Sequence, residues 1–170
     1  MDEKDLVKRA RSGDKNAFAQ LYMNYRDRLY RYAYFKLGDE SDAQDAVSDC
    51  IVEAYSSIGS LRNERAFSAW IFRILYRRCS ALIKEQIARK DCEDIDDTDL
   101  SSDSTDFRAA ELKEALSRLS DEDRDIVLLS TVSGYNSREI GRLLGMNSAT
   151  VRSRLSRSLK KMREFWGEEI

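Results

Sequence analysis

The side chains best suited to chemistry lie in YNSREIGRLLGMNSATVRSRLSRSLKKM, residues 135 to 162. If Val151, Leu155 and Leu159 turn inward on a helix, then Arg152, Ser153, Ser156, Arg157 and Lys160 gather on its outer face, because steps of one, four and five residues stay on one side. Such a face suits nucleic acid: arginine takes guanine O6 and N7 bidentately, and serine reaches a base or a phosphate. The amides beside Ser148, Ala149 and Thr150, at the helix start, suit a phosphate oxygen. A second basic set, Arg73, Arg77, Arg78 and Lys84, is read as available to solvent, giving its helix a basic free side. Asp42, Asp45, Asp49 and Glu53 form an acidic stripe that suits a basic partner helix, or simply a solvated face. Catalytic chemistry is poorly served. Histidine is absent, which removes imidazole bases, histidine-ligated metals and Ser/His or Cys/His pairs. Cys50, Cys79 and Cys92 contain no CxxC pair to hold zinc or exchange disulfides, so neither a metal nor another cofactor is expected.

These residues need helices to position them. Proline is absent and glycine occurs only 7 times, so long helices run unbroken and an all-α fold is expected. A short helix ends near Gly13. Phe18, Leu21, Tyr22, Tyr25, Leu29, Tyr32 and Ala33 then recur at helical steps, with Gly38 as the stop. Ser41 with Gln44 is read as a capping box for the next helix, whose apolar stripe is Ala43, Ala46, Val47, Cys50, Ile51, Ala54 and Tyr55. A third long helix, from Ala66 to Lys90, packs Phe67, Trp70, Ile71, Ile74, Leu75, Cys79, Leu82 and Ile83. Later, Leu112, Ala115, Leu116 and Leu119 mark a helix that stops before Ser120, and Ser120 with Asp123 caps a compact helix holding Ile126 to Leu129. Asn136 with Glu139 caps a short helix ended by Gly145, and a second begins near Ser148 and buries Val151, Leu155, Leu159 and Met162. That is helix-turn-helix grammar, in which the second helix enters the major groove.

The chain has 170 residues, 29 Lys plus Arg, 31 Asp plus Glu, 42% hydrophobic and 35% charged, enough for one or two small cored domains. The net charge of −2 conceals +4 over residues 1–90, −10 over 91–125 and +4 over 126–170. Asp91 to Asp106 holds eight acids and no base, and is read as a flexible spacer that offers too little apolar surface to offset its ordering entropy. Neither an export signal nor a membrane segment is found, so a cytoplasmic protein without membrane insertion is expected.

Taken together, the two halves resemble the sigma-70 family of bacterial transcription initiation factors, in its small extracytoplasmic-function group. In the first half the resemblance rests on DKNAFAQLYMNYRDRLYRYAY, DAQDAVSDCIVEAYSSI and AFSAWIFRILYRR; in the second, on LSRLSDEDRDIVLLSTVSGYNSREIGRLLGMNSATVRSRLSRSLKKM. It implies two small helical domains: region 2 at 1–90, then an acidic linker at 91–107, then a region 4 helix-turn-helix at 108–170. Region 2 is implied to dock on the clamp helices of core RNA polymerase through Asp45, Ser48 and Asp49, and to read and open the minus-10 element of promoter DNA. For that, the loop Leu61 to Ala66, with Leu61, Arg62, Asn63 and Ala66, and the helix bearing Trp70, Arg73 and Arg77 are implied. Region 4 is implied to sit on the polymerase flap and read the minus-35 element with Ser148, Thr150, Arg152, Ser153, Ser156, Arg157 and Lys160. An anti-sigma factor is an implied partner, and the chain is expected to be monomeric and not an enzyme.

The chain departs from the group's pattern at Ser48, Ile51 and Arg77, where Gln, Phe and Asn are frequent, and at Ser156, where a bulkier residue is frequent. A rival is a sigma-mimicking adaptor that sequesters an anti-sigma factor without productive DNA binding, but it would be expected to have lost Arg152, Arg157 and Lys160. A plain dimeric helix-turn-helix repressor leaves the first 90 residues without a role.

Overall fold

The computed structural model describes residues 1–92 and 107–167. Among these, eight α-helices and two short 3-10 turns form the secondary structure, with no strand. The chain divides into two compact units, Met1–Asp99 and Leu100–Ile170.

The first unit begins with α1 (Glu3–Arg11), an amphipathic helix that buries Leu6, Val7 and Ala10. Asp14 opens α2 (Lys15–Leu37), its Oδ1 accepting from the Asn16 and Ala17 amides at 3.0 and 3.1 Å. Arg9 donates to the other oxygen at 2.6 Å. The Ala17 amide and the Arg9 guanidinium together hold the Asp14 carboxyl below its ordinary value. Gly38, at φ 75°, ends α2 in a left-handed turn that a β-carbon would disfavour, and its amide donates to the Tyr34 carbonyl at 2.7 Å.

Helix α3 (Glu40–Ser57) starts one residue before the expected cap. Asp39, not Ser41, is the N-cap, and its Oδ1 accepts from the Asp42 amide at 2.9 Å. A carboxylate there satisfies an orphan amide and complements the positive end of the helix. Two 3-10 turns, Ile58–Ser60 and Glu64–Ala66, lead into α4 (Phe67–Cys92). Helix α4 packs on both α2 and α3, so its buried surface is wider than one stripe. Phe72, off the expected stripe, is fully buried, while Leu82 and Ile83, on it, are only half-buried. The core of the unit is Leu21, Leu29, Tyr32, Phe67, Ile71, Phe72 and Leu75. Burying each such side chain contributes about 1.5–3 kcal/mol. Edge-to-face contacts join Tyr25 to Phe67 and Tyr32 to Phe72, with centroids 5.2 and 6.1 Å apart. Tyr55, expected in the core, is exposed along one side but keeps its ring 5.1 Å from Phe18.

The second unit comprises α5 (Phe107–Ser117), α6 (Asp121–Thr131), α7 (Ser137–Leu144) and α8 (Ser148–Phe165). Leu116, Ile126, Leu129, Ile140 and Val151 are its most buried side chains. Ser120 caps α6, accepting from the Asp123 amide. Arg124 reaches back to the end of α5 and donates to the Leu116 carbonyl at 3.1 Å, which also accepts from the Leu119 amide at 3.1 Å. Leu155 and Leu159, expected to be buried, are half-buried. Of the expected spacer, Asp91 and Cys92 close α4 and Phe107 opens α5; residues 93–106 lie outside the described residues. Among the described residues no helix is long and apolar enough to cross a membrane.

Candidate nucleic-acid interface

The turn between α7 and α8 is fixed at both ends. Asn136 and Glu139 form a reciprocal capping box, with bonds of 2.9 and 2.8 Å. Gly145, at φ 71°, ends α7, and the next amide, that of Met146, donates to the Gly141 carbonyl at 2.9 Å. Gly141 lies so near the turn that a β-carbon there would stand 2.5 Å from the Met146 carbonyl oxygen. The chain therefore reverses with backbone against backbone, and only glycine fits without displacement.

Asn147 caps α8 by accepting from the Ala149 amide at 2.7 Å. Of the amides beside Ser148, Ala149 and Thr150 expected to suit a phosphate oxygen, that of Ala149 already has a partner. Beyond the cap, Val151 is buried, whereas Thr150, Arg152, Ser153, Ser156, Arg157 and Lys160 are exposed; Ser148 is half-buried. Arg152, Ser153, Ser156 and Arg157 line one shallow open depression. Arg154 points elsewhere. Its Nε donates to Asp123 at 2.7 Å and its Nη1 to Glu122, bracing α8 against the first turn of α6. The two carboxylates, Glu122 foremost, raise its pKa further and hold the guanidinium charged. The sequence reading did not single out Arg154. Its signal was position: within the basic run it lies nearest the side that packs on α6.

In the first unit, Asp45, Ser48 and Asp49 are exposed on one side of α3, and Ser48 borders a cleft of about 390 Å³ against α2. The acidic stripe is not uniform. Asp42 accepts from Gln86 at 2.6 Å, and Glu53 pairs with Arg78 at 2.6 Å. Arg78, expected to be free, is thus bound to α3. Arg73 and Arg77 are exposed one turn apart on α4, and Lys84 is exposed two turns beyond Arg77. In the connecting loop Arg62 and Asn63 are exposed and Ala66 is half-buried. Leu61 is 6% exposed, so the expectation that its side chain meets DNA is corrected: the residue turns inward and anchors the loop. Trp70 is half-buried, its ring 5.9 Å from Phe67.

Residues 21–87 match the family model of Sigma-70 region 2, and residues 109–162 that of Sigma-70, region 4. Over 158 residues the chain is 30% identical to the ECF RNA polymerase sigma factor SigM of Mycobacterium tuberculosis, an alignment covering 92% of this chain and 80% of that one. The chain belongs to the extracytoplasmic-function group of the sigma-70 family. Over 181 residues it is 23% identical to the ECF RNA polymerase sigma factor SigW of Bacillus subtilis, covering 95% of each. Among solved structures, CnrH in complex with the cytosolic domain of CnrY shares the fold, with a TM-score of 0.75, 23% identity and 97% of each chain covered. So does the sigma factor RpoE in complex with the anti-sigma factor NepR from Bartonella quintana, with a TM-score of 0.71, 23% identity, and 90% of this chain and 98% of that one covered. In this sigma factor, α2 to α4 carry region 2, and the helix-turn-helix of α7 and α8 lies in region 4.

Proposed function

We propose that this sigma factor binds core RNA polymerase and directs transcription from promoters that it recognises at minus-10 and minus-35 elements. Region 2 would occupy residues 1–90 and region 4 residues 108–170, joined by the acidic linker 91–107. Asp45, Ser48 and Asp49 would engage the polymerase clamp helices, while region 4 rests on the flap. Arg62, Asn63, Ala66, Trp70, Arg73 and Arg77 would hold the minus-10 strand. Ser148, Thr150, Arg152, Ser153, Ser156, Arg157 and Lys160 would meet the minus-35 duplex.

The observation that carries the reading is the division of cations on α8. Arg154 is consumed by Glu122 and Asp123, whereas Arg152, Arg157 and Lys160 make no ion pair among the described residues and face outward beside Ser153 and Ser156. A helix that serves only packing has no use for such a face, and a polyanion does. The mechanism is binding. Polymerase performs the chemistry, and region 2 lowers the cost of unpairing promoter DNA by trapping exposed bases. The protein would act in the cytoplasm as a monomer, restrained by an anti-sigma factor.

The experiment is transcription from a library of randomised minus-35 elements by core polymerase reconstituted with each variant. Arg152→Ala and Arg157→Ala should each flatten preference at one or two positions, since a bidentate arginine contributes about 1–3 kcal/mol of discrimination. Lys160→Ala should weaken all sequences alike and reduce the salt slope by about one. If the two arginine variants leave preference unchanged while Lys160→Ala alters it, the orientation of α8 on DNA is wrong. If the unmodified chain directs no transcription yet binds an anti-sigma factor, it is a sigma-mimicking adaptor.

A further inference from the structure

The loop between α3 and α4 has a defined shape. The Leu61 amide donates to the Ile58 carbonyl at 3.1 Å and the Ala66 amide to the Asn63 carbonyl at 3.0 Å. Asn63 Oδ1 accepts from the Arg65 amide at 3.0 Å. These bonds are local, so they fix the turn without fixing its attitude to the rest of region 2. Two side chains reach out of the loop to supply that. Leu61 enters the core, and Glu64 Oε1 accepts from Arg11 Nη1, at the end of α1, at 2.7 Å across 53 residues of sequence. The pair is shielded, with side-chain exposures of 29% and 24%, and the Glu64 carboxyl lies below its ordinary value through its own backbone amide and through Arg11 and Lys4.

Arg11 acts from a firm support. Helix α1 is docked by Leu6, Val7 and Ala10, and the Tyr25 hydroxyl donates to the Glu3 carboxylate at 3.0 Å. In the same loop Arg62, Asn63 and Arg65 are exposed. A loop held in one attitude loses less entropy when it captures an unpaired base than a loose one does.

We propose that Arg11 is a positioning residue for the 61–66 loop, acting through its ion pair with Glu64, so that α1 sets how readily region 2 holds unpaired promoter DNA. The inference rests on the reading of that loop as part of the minus-10 interface. Arginine suits the task because its planar fork is always charged, so lysine at 11 is an incomplete substitute.

The test uses the full chain reconstituted with core polymerase, and it follows promoter opening by permanganate reactivity of minus-10 thymines. Core affinity is measured separately by competition, and folding by circular dichroism. Arg11→Glu should slow opening roughly three- to tenfold, as for loss of a shielded ion pair, with core affinity unchanged. The charge-swapped double variant, R11E with E64R, should recover opening to within about twofold, and R11K should fall between. On a template already unpaired across the minus-10 element, R11E should still bind more weakly than the unmodified chain, because the loop acts on bases once they are unpaired; equal binding there overturns the proposal. An R11E protein that opens promoters normally overturns the proposal, and so does a folded double variant no better than R11E. The double variant R62A with N63A separates the two layers. If it too opens promoters normally, the loop is not a DNA-holding element and the proposal falls with that reading. If it impairs opening while R11E does not, the positioning role alone falls.

Discussion

Replacing Gly141 by alanine pits two opposed effects against each other. On helix propensity alone the change should stabilise α7 by about 1 kcal/mol. The new β-carbon, however, would stand 2.5 Å from the Met146 carbonyl oxygen, and Met146 is itself tied to Gly141 by a 2.9 Å hydrogen bond. An ordinary carbon–oxygen contact is about 3.3 Å, so the turn would have to open by roughly 0.8 Å. Backbone on both sides resists that movement, which places the cost in the upper part of the range of about 1–3 kcal/mol for overpacking. The net result is destabilisation by about 1–2 kcal/mol, or a fall of about 8–16 °C in the melting temperature of a unit this small. With Trp70→Phe as background, Trp166 becomes the sole tryptophan and its fluorescence reports on region 4. Gly59, in the first unit, where a β-carbon meets nothing within 4 Å, supplies a control followed by circular dichroism: Gly59→Ala should change melting little. Because the displaced turn orients α8, Gly141→Ala should also flatten minus-35 discrimination. A melting temperature unchanged or raised would refute the close approach between α7 and the turn.

Arg154→Ala leaves Glu122 and Asp123 facing each other without their cation; after allowance for the partial exposure of the pair it should cost about 1 kcal/mol in urea unfolding. It should also weaken minus-35 binding without altering which bases are preferred, and altered preference would instead make Arg154 a reading residue. Burial, above all, pushes the Cys50 thiol up to about 12, so in a Cys92→Ser background Ellman's reagent at pH 8 should label the native chain no faster than it unfolds; prompt labelling of Cys50 would contradict its burial. The stability that follows from keeping that thiol neutral is intact below the ordinary value of 9.0 and declines as pH rises toward 12. Asp14 has the opposite sign: its carboxyl is lowered from 3.8, so its contribution is present above that value and lost as pH falls through the lower folded one. Asp14→Asn, which keeps an acceptor at the cap but no charge, should flatten the acid limb of a melting-temperature profile, and an unchanged limb would show that the charge is irrelevant.

How much of this was legible in the sequence depended on how many neighbours each residue has. Helix α2 is packed by α1, α3 and α4; the recurrence from Phe18 to Ala33 predicted its course, down to the glycine that ends it, but not the burial of Tyr34 and Lys36 off that stripe. Helix α4 is covered from two sides, so Phe72 lay outside any single stripe and was missed. Caps read from local spacing succeeded at Ser120 and Asn136, where the accepting side chain stands three residues before the amide that it serves. Ser41 had the same spacing and failed, because Asp39 stands earlier and carries a charge. The pairs Arg154 with Asp123, Arg78 with Glu53 and Arg11 with Glu64 span 31, 25 and 53 residues, and no local pattern announces a partner at such a distance. Leu61 was placed at the DNA by the family resemblance, which assigns the 61–66 loop as a whole and does not tell which of its side chains turns into the core.

The same long-range pairs account for which charges remain available. Asp42 and Glu53 lie eleven residues apart, about three turns of α3, and so share the edge that faces α4, where Gln86 and Arg78 engage them. Asp45 and Asp49 make no bond among the described residues and stay exposed. On α4, Arg78 is spent on that contact while Arg73 and Arg77 are not. On α8, Arg154 is spent on α6 while Arg152, Arg157 and Lys160 are not. In each case one or two charges fix the helix and others on the same helix are left exposed. This arrangement reconciles a formal charge of only −2 with two strongly polarised surfaces. It also orders the response to salt. The bracing pairs are partly shielded and short, so they are screened less than exposed charges acting over a distance. Raising ionic strength should therefore release DNA from α8 well before it loosens α8 from α6.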